Sequence, residues 1–248
     1  MCVAARGQFR FAPNGRTLRV MCERIVIPDR EEVEQELSVN NPWWTFSTRF
    51  NVAATHSVPA ARMHNKESEG VMMRWGLVPA ATKPPEVGQA MPQGMPSVRS
   101  ASIESTEEYR TVWLYGQRCI VPLAGFYVWK RSPAGHRQPF YVRVVNRPVF
   151  GVAALWDRFV TDEDDVIEGC ALVTVPTNSL LAGMDHALTQ MPAILHRDSY
   201  ETWLSGRPGE AKDLLKDSYP PDRMVTHAVG PHVNFLEYDD PSLIRPIV

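Results

Sequence analysis

Twenty-one prolines are spread along the whole 248-residue chain, and they exclude most of what a chain of this length could become. Proline lacks an amide hydrogen and has a fixed φ, so it starts, kinks or ends helices and sits only at edges and bulges of sheets. Long helices, coiled coils and helical repeats are ruled out, leaving short elements joined by many turns. Strand signals fill the middle. Arg118–Pro122 (RCIVP), Phe140–Val145 (FYVRVV), Val149–Leu155 (VFGVAAL) and Ala171–Val175 (ALVTV) are apolar or alternating runs bounded by Gly, Pro or Asn. Between the first two, Ser132–Arg137 (SPAGHR) reads as a hairpin turn, and the Pro- and Gly-rich stretch Ala80–Pro96 as an exposed loop. Three helices are expected. One spans Asp29 to Leu37 with an acidic first turn. A second spans Ser199–Leu204 with Asp198 or Ser199 as N-cap, and a third lies within Arg207–Asp217, beginning after the Pro208-Gly209 break. These signals predict an α+β fold, one domain over residues 1–248, with a mostly antiparallel, barrel-like β core and a few peripheral helices.

Charge and composition narrow the function. A formal net charge of −2 excludes a wholesale polyanion binder, so any nucleic-acid site has to be a local basic patch. No stretch approaches the ~18 apolar residues of a membrane span, and a soluble monomer is expected. The four cysteines (Cys2, Cys22, Cys119, Cys170) form no CxxC pair, which points to reduced thiols and a cytoplasmic protein. The histidines show no metal-ligand spacing, and neither a metal nor a cofactor is expected.

Two features carry chemistry. Loss of Met1 would leave Cys2 with a free α-amine beside its thiol. Such an aminothiol condenses with an aldehyde to an imine and closes to a thiazolidine. It could also act as an N-terminal nucleophile in acyl transfer. The second feature is a set of blocks that interleave cations with rings: Thr48–Thr55 (TRFNVAAT), Met73–Pro79 (MRWGLVP) and Gly125–Arg131 (GFYVWKR), together with Ser97–Ser100 (SVRS). A single-stranded nucleic-acid groove uses cations for phosphates and ring faces for bases.

In order along the chain, these blocks resemble the SRAP family (SOS response-associated peptidase domains, which include abasic-site shielding proteins). Met1-Cys2 sits where the family reads MCGR. Arg49–Thr55 (RFNVAAT) is similar to its R-[YF]-N-[VI]-A-P-T, and Arg74–Pro79 (RWGLVP) to its RWGL-[IV]-P. Val98-Arg99 stands at its N-A-R, and Arg118–Trp129 (RCIVPLAGFYVW) at its RCL-[IV]-P-A-x-G-[FY]-[YF]-E-W. Ala171–Asn178, Met191–Leu195 (MPAIL) and the tail ending LIRPIV follow. The resemblance implies a protein that holds single-stranded DNA containing abasic sites and captures the sugar aldehyde as a thiazolidine cross-link. By position, Cys2 would be the nucleophile, and Asn51 would help hold the sugar or the N-terminus. Arg74 and Arg99 would contact phosphates, while Trp75, Phe126 and Trp129 would line the groove.

The departures gather around the implied reaction centre. Val128 stands where the family has its catalytic glutamate, and valine moves no protons. A gapless count back from Met191 puts Leu188 at the family's histidine. Counting forward from the strand ending near Val175 gives His186, which is taken as the equivalent. Val3-Ala4 replaces Gly-Arg after Cys2, Ala54 replaces a proline, and Ser97 an asparagine. Whether the chain is an enzyme is therefore open. Three readings stand: covalent capture with weakened catalysis, a non-catalytic single-strand binder, and an N-terminal-nucleophile peptidase limited to self-processing.

Overall fold

A computed structural model describes residues 24–39, 41–85, 90–132 and 135–247. Along the chain run β1 (Ile25–Ile27), α1 (Arg30–Leu37), β2 (Asn41–Pro42), β3 (Arg49–Val52), β4 (Ser57–His64), β5 (Glu67–Trp75) and β6 (Ser97–Arg99). Then come α2 (Glu107–Leu114), β7 (Arg118–Leu123), β8 (Gly125–Arg131), β9 (Arg137–Val144), β10 (Phe150–Val160) and β11 (Val166–Pro176). The last are α3 (Ser179–Ala182), β12 (Gln190–Pro192), α4 (Tyr200–Ser205), α5 (Pro208–Asp213) and β13 (Met224–Ala228), with short 3-10 turns between them. The expected α+β architecture holds, with mostly antiparallel pairing and helices of eight residues or fewer among the described residues.

The strands form two sheets. In one, β11, β10, β7, β4 and β5 pair in that order, and β5 returns to pair with β11, closing a five-strand barrel. The β5–β11 closure is parallel and short, matching Gly169 with Arg74 and Cys170 with Trp75. Strand β6 then takes over along β11, from Leu172↔Ser97 to Thr174↔Arg99. The second sheet has the order β13-β9-β8-β1-β3.

The seam of the barrel depends on close backbone approach. A Cβ added at Gly169 would lie 2.7 Å from the Gly76 carbonyl oxygen, and one at Gly94 2.5 Å from the same atom. Gly94 also has φ +71°, which side chains other than glycine adopt at a cost. Gly76 donates its N–H to Cys170 O (2.8 Å), and Leu77 and Met95 exchange both backbone bonds (2.9 and 2.8 Å). The end of the predicted loop Ala80–Pro96 is thus part of the barrel wall.

Local signals explain the helices. Asp29 caps α1 by accepting from Glu31 N at 2.9 Å, and Val33 and Leu37, four residues apart, face the core. In α4 the buried face is Tyr200, Trp203 and Leu204. Pro208 does not precede the third helix, as expected, but opens α5 at its first turn. A missing N–H costs nothing there. Helix α2 was not foreseen, although Thr106 and the acidic pair Glu107-Glu108 mark its start and Tyr109, Val112 and Trp113 its buried side. The expected hairpin pairs β9 with β8 rather than with β7, and Ser132 donates its N–H to His136 O at 2.9 Å. Arg118 of the RCIVP run is buried between the Trp113 and Trp203 rings, at 5.4 and 5.9 Å. Its guanidinium donates to the Trp203 and Gly206 carbonyls at the C-terminal end of α4, where a cation meets the negative end of the helix dipole.

Because Gly169 faces backbone rather than a yielding side chain, Gly169→Ala is expected to destabilise the protein by about 1–3 kcal/mol, the cost of overpacking. Urea unfolding monitored by tryptophan fluorescence measures it, and an unchanged midpoint would contradict the account of the seam.

Candidate functional site

Strand β8 is buried on both faces. Phe126 and Val128 point into the main core with Ile25, Val52 and Val142. The alternate residues Tyr127 and Trp129 point into a second apolar cluster with Val26, Tyr141, Val229, Val233 and Leu243. The C-terminal segment therefore forms a lid over the outer face of the second sheet. Its polar tips are all engaged: Tyr127 OH donates to Phe50 O (2.8 Å), Trp129 Nε1 to Asn234 Oδ1 (2.9 Å) and Tyr141 OH to Ala124 O (2.9 Å).

This arrangement corrects three expectations. Trp75, Phe126 and Trp129 do not line a groove with free ring faces, being 1%, 0% and 7% exposed. Trp75 lies at the seam and donates its indole N–H to Pro96 O at 2.8 Å. Phe126 is core, and Trp129 is covered by the C-terminal lid, with the Arg137 guanidinium 5.1 Å from its ring centre. Period-2 alternation does not reveal that the strand is covered on both sides.

The two arginines differ. Arg74 is half-buried and donates through Nη1 to Gln93 O at 3.0 Å, tying the loop to the barrel seam. Burial lowers its pKa below the usual guanidinium value. Arg99 is exposed at the end of β6. Both flank β11, opposite Gly169 and Thr174, which at ~3.3 Å per residue sets their backbones roughly 16 Å apart along one seam.

Asn51 is fully buried and polar. Its Nδ2 donates to the Phe235 and Tyr238 carbonyls, both at 2.9 Å. Asp239 completes the clasp by accepting from the Asn51 backbone N–H at 2.9 Å, from the Phe50 N–H and from Arg49 Nε. The Asn51 Oδ1 atom, by contrast, is buried with no hydrogen-bond partner. A buried acceptor left unpaired costs about 1–3 kcal/mol, so the fold bears a penalty at this atom that an incoming donor would relieve. Half-buried His56 sits near this cluster. Burial first, then the charges of Arg49 and Arg24, push its pKa below the ordinary histidine value, against a smaller upward pull from Asp239. Both effects disfavour the protonated imidazole.

His186 is exposed in the turn after α3. Its neighbour Asp185 accepts from Arg131 N at 3.1 Å, which ties this turn to the end of β8, three residues beyond Val128. Leu188 packs against the core instead. Val128 is 3% exposed. Cys2 lies outside the described residues. Cys119 and Cys170 are free and buried. Among the described residues no group of His, Cys, Asp and Glu could hold a metal ion, and no helix is long and apolar enough to cross a membrane.

The sequence reading passed over two exposed rings next to Asn51. Phe235 and Tyr238, whose carbonyls Asn51 holds, are 52% and 41% exposed. Tyr238 contacts Phe235 and also His232, with ring centres 6.3 and 4.6 Å apart. A pair of aromatics in a polar, proline-bounded tail was the available signal.

Comparison with known proteins places these features. The model of the family described as SOS response associated peptidase (SRAP) matches residues 21–236. The chain is 24% identical over 231 residues to the Bacillus subtilis protein named abasic site processing protein YoqW, covering 91% of this chain and 99% of that one. It is 26% identical over 202 residues to the abasic site processing protein HMCES of Gallus gallus, covering 73% of this chain and 59% of that protein. A crystal structure of a Bacteroides thetaiotaomicron protein superposes with a TM-score of 0.81 at 22% identity, over 92% of this chain and all of that one. A second, from Bordetella bronchiseptica, superposes with a TM-score of 0.72 at 23% identity. At those identities the two structures speak for the fold.

Removing the Asn51 carboxamide abolishes two hydrogen bonds to the C-terminal segment. Asn51→Ala is expected to cost about 1–3 kcal/mol and to speed amide exchange across residues 235–239. Unchanged protection there would show that Asp239 alone holds the clasp.

Proposed function

The chain belongs to the SOS response associated peptidase (SRAP) family, and from that premise we propose that it processes abasic sites in single-stranded DNA by covalent capture. The observation that carries this reading is the buried Asn51 carboxamide with its unpartnered Oδ1. An acceptor kept dry and unpaired suits a protonated amine or a sugar hydroxyl brought in with the substrate. The relatives named for abasic-site processing support the same substrate class.

In this reading an amino-terminal cysteine attacks the ring-opened deoxyribose. Its amine adds to the aldehyde and loses water to give an imine. The thiolate then adds to the imine carbon as the nitrogen takes up a proton, closing the thiazolidine. Asn51 holds the reacting amine or sugar. His56, near Arg49 and Asp239 and with its protonated form disfavoured, is available to accept a proton, and His186, in the turn tied to the end of β8, is a second candidate. The exposed Phe235 and Tyr238 rings serve as stacking faces, worth roughly 1–3 kcal/mol per base. Arg99, with Arg74 further along the seam, meets the phosphates. Val128 leaves the site without the family's carboxylate, so proton transfer, and with it the rate of capture, is weakened.

The test is incubation with a single-stranded oligonucleotide carrying one abasic site, followed by a denaturing gel. A shifted band is expected that disappears when the aldehyde is first reduced with borohydride. Its absence, or an equal band with undamaged DNA, would overturn covalent capture. In the same assay Val128→Glu, which puts a carboxyl in apolar surroundings that raise its pKa, is expected to speed capture by about 10²-fold.

Val128 also favours a second reading, a single-strand binder without chemistry. Binding that is indifferent to reduction of the aldehyde would support it. In either case Arg99→Ala is expected to weaken binding and to reduce the log–log salt slope by about 0.7, the share of one phosphate contact on a single strand. Fluorescence anisotropy over a salt series measures both.

A further inference from the structure

Among the described residues, Arg118 carries a buried positive charge that no carboxylate neutralises. The residue is 3% exposed, and burial pushes its pKa down with no acidic neighbour to raise it. Its Nε and Nη2 donate to the Trp203 and Gly206 carbonyls, whereas Nη1 is buried without a hydrogen-bond partner. Arginines are almost never buried unless paired. Arg62 shows the usual solution in the same barrel, held by Glu69 at 2.9 Å and Glu168 at 2.8 Å. The dipole at the end of α4 offers Arg118 only a partial charge in exchange.

The neighbouring ring repeats the pattern. Trp113 is fully buried, its ring centre lies 5.4 Å from the Arg118 guanidinium carbon, and its indole N–H has no acceptor. The other indole at this contact is satisfied, Trp203 Nε1 donating to Cys119 O at 2.8 Å. The Lys212 ammonium stands 6.0 Å from the Trp113 ring centre, held by Ser100 O at 2.8 Å and by the exposed Glu104 at 3.2 Å. Two cations therefore share one carboxylate around Trp113. Both unpaired atoms, Arg118 Nη1 and Trp113 Nε1, are donors. Buried donors left unpaired are costly, and each calls for an acceptor. A water molecule accepts but must also place its own two hydrogens. An anion only accepts, and it brings the missing negative charge.

We propose that Arg118 Nη1 and Trp113 Nε1 hold a small monovalent anion of the halide class, a structural site where α2, β7 and α4 meet. The walls set the size. Trp113 and Trp203 have no exposed surface and Arg118 almost none, so the ligand has to be compact and to shed its hydration shell. Chloride meets both demands, whereas a phosphate ester or an organic acid does not. Bound there, the anion neutralises Arg118 while its guanidinium holds the C-terminal end of α4 against β7. The site needs segments brought together by folding, so the anion binds the native state alone and stabilises it by mass action. This inference does not rest on the covalent-capture reading.

The experiment follows thermal unfolding of the 248-residue protein in sodium chloride and in sodium gluconate at equal ionic strength. Trp113→Phe, which keeps a ring and removes the N–H, is measured beside it. Chloride is expected to raise the wild-type midpoint saturably, by roughly 5 °C once it is about 100-fold above its dissociation constant. Gluconate, too large to enter, leaves the midpoint unchanged, and Trp113→Phe loses most of the response to chloride. Equal wild-type midpoints in the two salts, or a full chloride response in folded Trp113→Phe, overturn the proposal. If the variant does not fold, wild-type crystals grown in sodium bromide decide. An anomalous peak within hydrogen-bond reach of both Nη1 and Nε1 supports the site. No peak there overturns it, whether a water takes the position or bromide sits on the surface as an adventitious ion only.

Discussion

The closure of the five-strand barrel is the contact on which the rest of the molecule depends. Only two residue pairs join β5 to β11 directly, far fewer than the neighbouring antiparallel ladders provide. What makes so short a seam sufficient is backbone proximity. Gly76, Gly94 and Gly169 let three segments meet at distances no Cβ would allow. The seam is reinforced by side chains that reach across it: Arg74 to Gln93 O and Trp75 to Pro96 O. The RWG run is therefore first a structural device. If Arg74 also meets DNA, it does so from a position already fixed by the barrel.

The second sheet is organised by a different constraint. Strand β8 carries apolar side chains on both faces, so it needs a cover on each. The barrel side supplies one and the C-terminal segment the other. That cover is attached through a few polar contacts, chiefly Asn51 and Asp239. The residue that the family resemblance assigns to the reaction centre is thus also the residue that fastens the lid. A buried amide can do both because its two ends are separable. The donating end is spent on Phe235 and Tyr238, and the accepting end is left over.

Much of the fold was readable in advance. Proline spacing limited element length, Asp29 announced α1, and the alternating runs marked β7, β9, β10 and β11. Helix α2 carried its signals openly at Thr106–Glu108 and was simply passed over. Site residues were less legible. Arg–aromatic adjacency singled out Trp75 and Trp129, which the structure buries at the barrel seam and beneath the C-terminal segment. Adjacency in sequence does not distinguish a ring offered to a ligand from one that caps a seam or fills a second core. Phe235 and Tyr238 were overlooked because exposure is a property of the assembled surface.

The sequence by itself determined that this chain is a mosaic of short strands and helices, that it carries the ordered motifs of one family, and that valine stands where that family has a carboxylate. These are statements about residue identity and local conformational preference, which the covalent chain carries everywhere it goes. Only the tertiary structure decided which rings are dry, which acceptor on Asn51 is left without a donor, and where β1 begins relative to Val128. Burial and pairing come from segments far apart in the chain, so no local pattern encodes them.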